Sequence, residues 1–161
     1  MGKSFEKMFR AMQYLNLCTL YYDFDFDKEQ LKQFNANVTD YNNSSLTTEN
    51  FYTELARIYN QYGFDCKKAI FEFPFRAKLK ILEVKPGGRY ITDNLKESNN
   101  AMQICLVLFI RELITSWGKS AGDIQLYWSK MKEYSLNYAN GMTNEFVQQY
   151  FIEQIDLAIT E

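Results

Sequence analysis

Histidine is absent from these 161 residues, and with it go Ser-His-Asp and Cys-His nucleophile pairs, histidine general bases and His-ligated zinc or iron. Any catalysis would run on carboxylates, lysine, tyrosine or thiol. Turn-formers are scarce, at seven Gly and two Pro, whereas sandwiches and barrels need many. Helices joined by Asn, Ser, Thr and Asp loops fit better. Cys18, Cys66 and Cys105 carry no CxxC or metal-like spacing. They read as reduced thiols, with Cys18 and Cys105 as small hydrophobes in apolar helices. Long apolar runs are missing too. The longest, Ile104 to Ile110, has seven residues, against roughly 20 for a membrane span.

Neither sign of charge dominates. Eighteen Lys plus Arg against 20 Asp plus Glu leave −2, which argues against wholesale binding to a phosphate backbone. The first residues hold no apolar signal core, and Glu6 stands where a myristoylation motif needs Ser or Thr. The expectation is a cytoplasmic protein with no membrane partner, in which Asn37-Val-Thr39 and Asn42-Asn-Ser44 match the glycosylation tripeptide by chance.

What is present is apolar and aromatic: 47% hydrophobic residues, with 13 Phe, 12 Tyr and two Trp. That is enough to fill one compact core over 1–161. Residues 5 to 22 are apolar almost all round, as in a buried helix. Asp27-Lys-Glu-Gln30 has the form of a capping box, opening a helix with Leu31, Phe34, Val38 and Tyr41 on one face. Thr47 or Thr48 caps a third helix, with Phe51, Leu55, Ile58 and Tyr62 aligned and an end near Gly63. Further helices are expected over 99 to 116, from Ser120 with Ile124, Trp128, Met131 and Tyr138 aligned, and from Thr143 with Val147, Phe151, Ile155, Ala158 and Ile159.

The middle of the chain has a different period. From Phe71 to Ile81 apolar residues alternate strictly with polar ones and Pro74, and Lys85-Pro-Gly-Gly-Arg89 offers a turn into Tyr90-Ile91. A short β-hairpin near residues 71–92 is the first reading. A helix starting at Pro74, with Phe75, Leu79 and Leu82 on one face, is the other.

The order of elements hints at duplication. Ala11-Met12-Gln13 and Ala101-Met102-Gln103 are 90 residues apart, the caps Asp27 and Ser120 are 93 apart, and Phe51 and Phe146 are 95 apart. The mainly α, six-helix fold then divides into two related three-helix units, 1–65 and 97–161, joined by a basic segment 66–96. Two unrelated stretches sharing a common helical grammar would look similar.

Motifs that could carry chemistry are few. Asp23, Asp25 and Asp27 alternate and could gather a hard cation, but a calcium loop starting at Asp23 would need glycine at Lys28 and glutamate at Phe34. Asp27 also stands where a haloacid-dehalogenase signature carries Thr or Val. Gly118-Lys-Ser120 lacks the earlier P-loop glycine, Leu113 standing in its place. No catalytic residue, metal set or cofactor is assigned. Between Cys66 and Arg89 seven cations face only Glu72 and Glu83. As a strand, Arg76, Lys78 and Lys80 would share one face that, with Lys85 and Arg89, suits nucleic acid or an acidic partner; lysines guarding an edge strand would look the same. Tyr14, Tyr21, Tyr22, Tyr52, Tyr59, Tyr62, Tyr127, Tyr134, Tyr138 and Tyr150 are too many to bury with satisfied hydroxyls. An exposed tyrosine patch, and a protein partner or a second copy forming a homodimer, is expected.

Residues 15 to 62, from Leu15-Asn-Leu-Cys-Thr-Leu-Tyr-Tyr-Asp-Phe-Asp-Phe-Asp-Lys28 through Leu31, Phe34, Thr47-Thr48, Phe51 and Leu55, resemble small uncharacterised proteins of phages and conjugative elements from Gram-positive anaerobes. There an apolar helix with a Leu-Tyr pair runs into a Phe-Gly-Phe-Gly-type turn and a basic helix. Here Asp25 and Asp27 replace the glycines and Glu29-Gln30 part of the basic run. The resemblance implies a mobile-element origin and no particular reaction. It makes a non-enzymatic binder of a host protein, such as an anti-CRISPR-like inhibitor of a defence nuclease, the preferred functional expectation, with a nucleic-acid-binding regulator as the alternative.

Overall fold

A computed structural model describes residues 3–71, 89–139 and 149 of the chain. Six helices run in order: α1 (Lys3–Asp23), α2 (Lys28–Ser44), α3 (Thr48–Tyr62), α4 (Cys66–Phe71), α5 (Arg89–Trp117) and α6 (Ala121–Ala139). The fold is mainly α, and no strand occurs among the described residues. Most of the expected hairpin, with Arg76, Lys78, Lys80 and Lys85, lies outside them. Its two ends do fall within and are helical: Phe71 closes α4, and Tyr90-Ile91 belong to the first turn of α5. The Pro86-Gly87-Gly88 punctuation thus precedes a helix, and two residues beyond it are too few to establish a strand period. The Thr143 helix also lies outside the described residues, apart from helical residue 149.

The starts of α2 and α3 follow from local chemistry. Asp27 accepts from Gln30 N at 2.8 Å, and Gln30 Oε1 accepts from Asp27 N at 2.9 Å, closing the capping box read from sequence. Thr47 Oγ1 accepts from Asn50 N at 3.1 Å, and α3 ends on Gly63 at φ 68°, which only glycine adopts without strain.

α1 and α5 form the centre. Residues 11 to 20 of α1 are buried without interruption, which a helix sustains only when neighbours cover every side. α1 packs chiefly on α5 and then on α6, while α5 carries α2, α3 and α4. Each apolar helix therefore leans more on helices from the other half of the chain than on the helix that follows it. Polar ties fix this packing. The buried Glu112 carboxylate of α5 accepts from Asn37 Nδ2 of α2 at 2.7 Å and from Trp117 Nε1 at 3.1 Å. Arg111 of α5 reaches Glu54 of α3 at 3.2 Å and lies 3.6 Å from the centroid of the Tyr41 ring.

The two apolar helices end in the same way. Phe26 N donates to Leu20 O at 3.0 Å and Lys119 N to Leu113 O at 3.1 Å, each N–H reaching back six residues to satisfy a carbonyl of the last helical turns. Asp25 at φ 56° and Gly118 at φ 63° take the left-handed position. Each is followed two residues later by a capping box, Asp27 with Gln30 and Ser120 with Asp123. All these pairs are 93 residues apart in the chain.

Candidate functional site

The carboxylates of the first turn do not converge. Asp27 is spent as a cap, Asp25 is exposed, and Asp23 Oδ1 lies 3.8 Å from Lys130 Nζ. Among the described residues no three His, Cys, Asp or Glu side chains come together to hold a metal ion. The thiols are shielded: all three cysteines are buried, and burial pushes the Cys66 thiol up to about 12 and Cys105 well above its ordinary value. A thiolate nucleophile is disfavoured at those two sites.

The tyrosines divide sharply. Tyr14 and Tyr127 are fully buried, and burial drives the Tyr127 hydroxyl well above its usual pKa, so it stays a donor, to Asn16 Oδ1 at 2.5 Å. Burial, and then the Asp23 carboxylate, likewise raise the pKa of half-buried Tyr134. By contrast Tyr52 and Tyr59 of α3 are 55% and 56% exposed. Seven residues, about two turns, separate them, so they share a face, with half-buried Leu55 between them. Tyr22 at the end of α1 is 42% exposed.

Two grooves meet at Tyr52. One, of about 340 Å³, runs between α3 and the start of α4, where Tyr52, Leu55, Tyr59, Asp65 and Lys67 contribute. Lys67 Nζ lies 5.7 Å from the Tyr52 ring centroid. The other, of about 720 Å³, opens between α1, the α2–α3 connection, α3 and α5, with Phe5, Leu46, Phe51, Tyr52, Ile104 and Glu97 among its walls. Both are open troughs, and each combines apolar walls with a few polar groups.

Of the five cations proposed from sequence, Arg76, Lys78, Lys80 and Lys85 lie outside the described residues, and Arg89 opens α5. Tyr52 and Tyr59 belonged to the tyrosine excess. Phe5, Ile104 and Glu97 carried no sequence signal, because the groove they line is assembled from distant parts of the chain. Among the described residues no helix is long and apolar enough to cross a membrane. No family model, curated protein or solved structure matches this chain.

Proposed function

We propose that this chain works by binding another protein and not by catalysis, and that the partner docks on the α3 face bearing Tyr52 and Tyr59. The carrying observation is that two large phenol rings stand more than half exposed on one face of a helix, flanked by two grooves. Tyrosine offers a large rigid apolar area with a polar tip, at little conformational cost, which is why it concentrates at binding hot spots. With the mobile-element resemblance of residues 15 to 62, the partner is a host protein, and inhibition of a defence nuclease is the specific role.

The alternative, a nucleic-acid-binding regulator, rests on the seven cations between Cys66 and Arg89. It requires steeply salt-dependent DNA or RNA binding that charge reversal at Lys78 and Lys80 abolishes. The protein-binding reading requires a stoichiometric protein partner, captured from a lysate of a Gram-positive anaerobe by the full chain and lost on Tyr52→Ala with Tyr59→Ala. Failure to capture one, or capture indifferent to both substitutions, overturns it.

A further inference from the structure

We propose that the outer face of α6 is a self-association surface, on which α6 of a second copy of this chain packs antiparallel to give a two-fold symmetric dimer. Leu126 and Leu136 are 46% and 54% exposed, and Ser129 and Glu133 between them are exposed as well. Positions 126, 129, 133 and 136 alternate steps of three and four residues, the spacing of a heptad seam, so their side chains form one stripe along the helix. This stripe lies on a different helix from Tyr52 and Tyr59, and the inference does not depend on the docking face of α3.

The other half of the chain shows that the fold does not need these leucines. α2 and α6 open on equivalent capping boxes 93 residues apart, and the same offset carries the buried Leu31, Phe34 and Val38 of α2 onto the buried Ile124, Tyr127 and Met131 of α6. Applied to the outer stripe, it sets Leu126, Ser129, Glu133 and Leu136 against Gln33, Ala36, Asp40 and Asn43, all of them exposed. The inner faces match, whereas both outer leucines stand where α2 carries amides. One exposed leucine is ordinary. Two in one heptad seam, with amides in their place on the equivalent helix, mark a seam for another helix.

The charges on the stripe identify that helix as a second α6, and set its direction. A parallel pairing would bring Glu133 against its own counterpart, and like charges there repel. An antiparallel pairing centred between residues 129 and 133 sets Leu126 of each copy against Leu136 of the other, at both ends of the seam. In the middle, the Ser129 hydroxyl of one copy donates to the Glu133 carboxylate of the other. Lys130, whose Nζ lies 3.5 Å from Glu133 within the chain, brings positive charge beside that layer. The stripe thus complements itself under a two-fold axis, which is what a closed dimer requires.

Light scattering of the full chain over about 5 to 500 µM is the test, since one helix pair is a small interface and its dimer depends on concentration. The mass should rise from 19.1 kDa towards twice that value. Leu126→Glu with Leu136→Glu should hold the chain at the monomer mass throughout, with a melting temperature in dilute solution within a few degrees of wild type. Ser129→Lys separates the two directions of pairing. Antiparallel, it sets an ammonium against Glu133 of the second copy and should tighten the dimer about threefold or more; parallel, it sets two ammoniums together and would loosen it. The proposal is overturned if wild type stays monomeric at the highest concentration, or if Ser129→Lys loosens the dimer. It also falls if the double-leucine variant dimerises as wild type does, and loss of that dimer on Tyr52→Ala with Tyr59→Ala would move the interface to α3. A monomeric wild type that is strongly destabilised by Leu126→Glu with Leu136→Glu would show that the chain itself covers the stripe, and would remove the second copy.

Discussion

The Tyr127 hydroxyl of α6 donates to Asn16 Oδ1 of α1 at 2.5 Å, with both side chains buried and 111 residues between them in the chain. It is a buried polar tie between α1 and α6, which Asp23 and Lys130 also join at 3.8 Å, and it favours one rotational setting of α6 on α1. Tyr127→Phe leaves the Asn16 oxygen without this donor and is expected to cost about 1–3 kcal/mol. Adding Asn16→Leu should recover part of that loss, since the orphaned acceptor is then gone. Urea unfolding of the two single variants and the double variant checks this; strictly additive losses would contradict it.

Asp25 and Gly118 hold equivalent left-handed positions before equivalent capping boxes, yet only one is glycine. A side chain in that region costs about 1–2 kcal/mol, less for Asp than for most residues. Asp25→Gly should therefore stabilise by up to about 1 kcal/mol and Gly118→Ala destabilise by about 1 kcal/mol. Space is not the issue at Gly118, where an added Cβ would meet nothing within 4 Å. Opposite shifts in melting temperature are the expected result, and shifts of the same sign would count against the equivalence.

Acid should loosen α6 first at its N-terminus. The Ser120 backbone N–H, and then its hydroxyl, donate to the Asp123 carboxylate and hold it below the usual carboxylate range. A depressed folded-state value means the contribution is fully present above the unfolded Asp pKa of about 3.9 and is lost as pH falls through the folded value. Asp123→Asn should flatten the acid limb of the stability–pH curve and leave its neutral-to-alkaline part unchanged in shape. Parallel curves for variant and wild type would contradict the assignment.

Most of the helical frame was legible because its signals are local. Asp27, Thr47 and Ser120 announce helix starts by residue type and spacing, and the 3.6-residue period of Leu31, Phe34 and Val38 is carried into burial. The start of α5 was not legible. Residues 89–98 are mostly polar, begin with Tyr90 and the β-branched pair Ile91-Thr92 and follow a Pro-Gly-Gly turn, so a strand entry was the first reading, whereas the chain is helical from Arg89. α4 escaped notice because six residues leave no period to read. In the candidate site, sequence flagged an excess of tyrosine but could not separate buried Tyr14 and Tyr127 from exposed Tyr52 and Tyr59. Glu97 stayed hidden because the groove it lines is assembled from α1, α3 and α5.

The central claim is that the Tyr52–Tyr59 face of α3 is where this chain meets a protein partner. The most direct measurement is capture of that partner by the full-length chain, with affinity compared between wild type and the Tyr52→Ala/Tyr59→Ala variant. These side chains are exposed, so the variant should melt within a few degrees of wild type. Its affinity should fall at least tenfold, about 1.4 kcal/mol or more. A correctly folded variant that holds the partner as tightly as wild type would contradict the account.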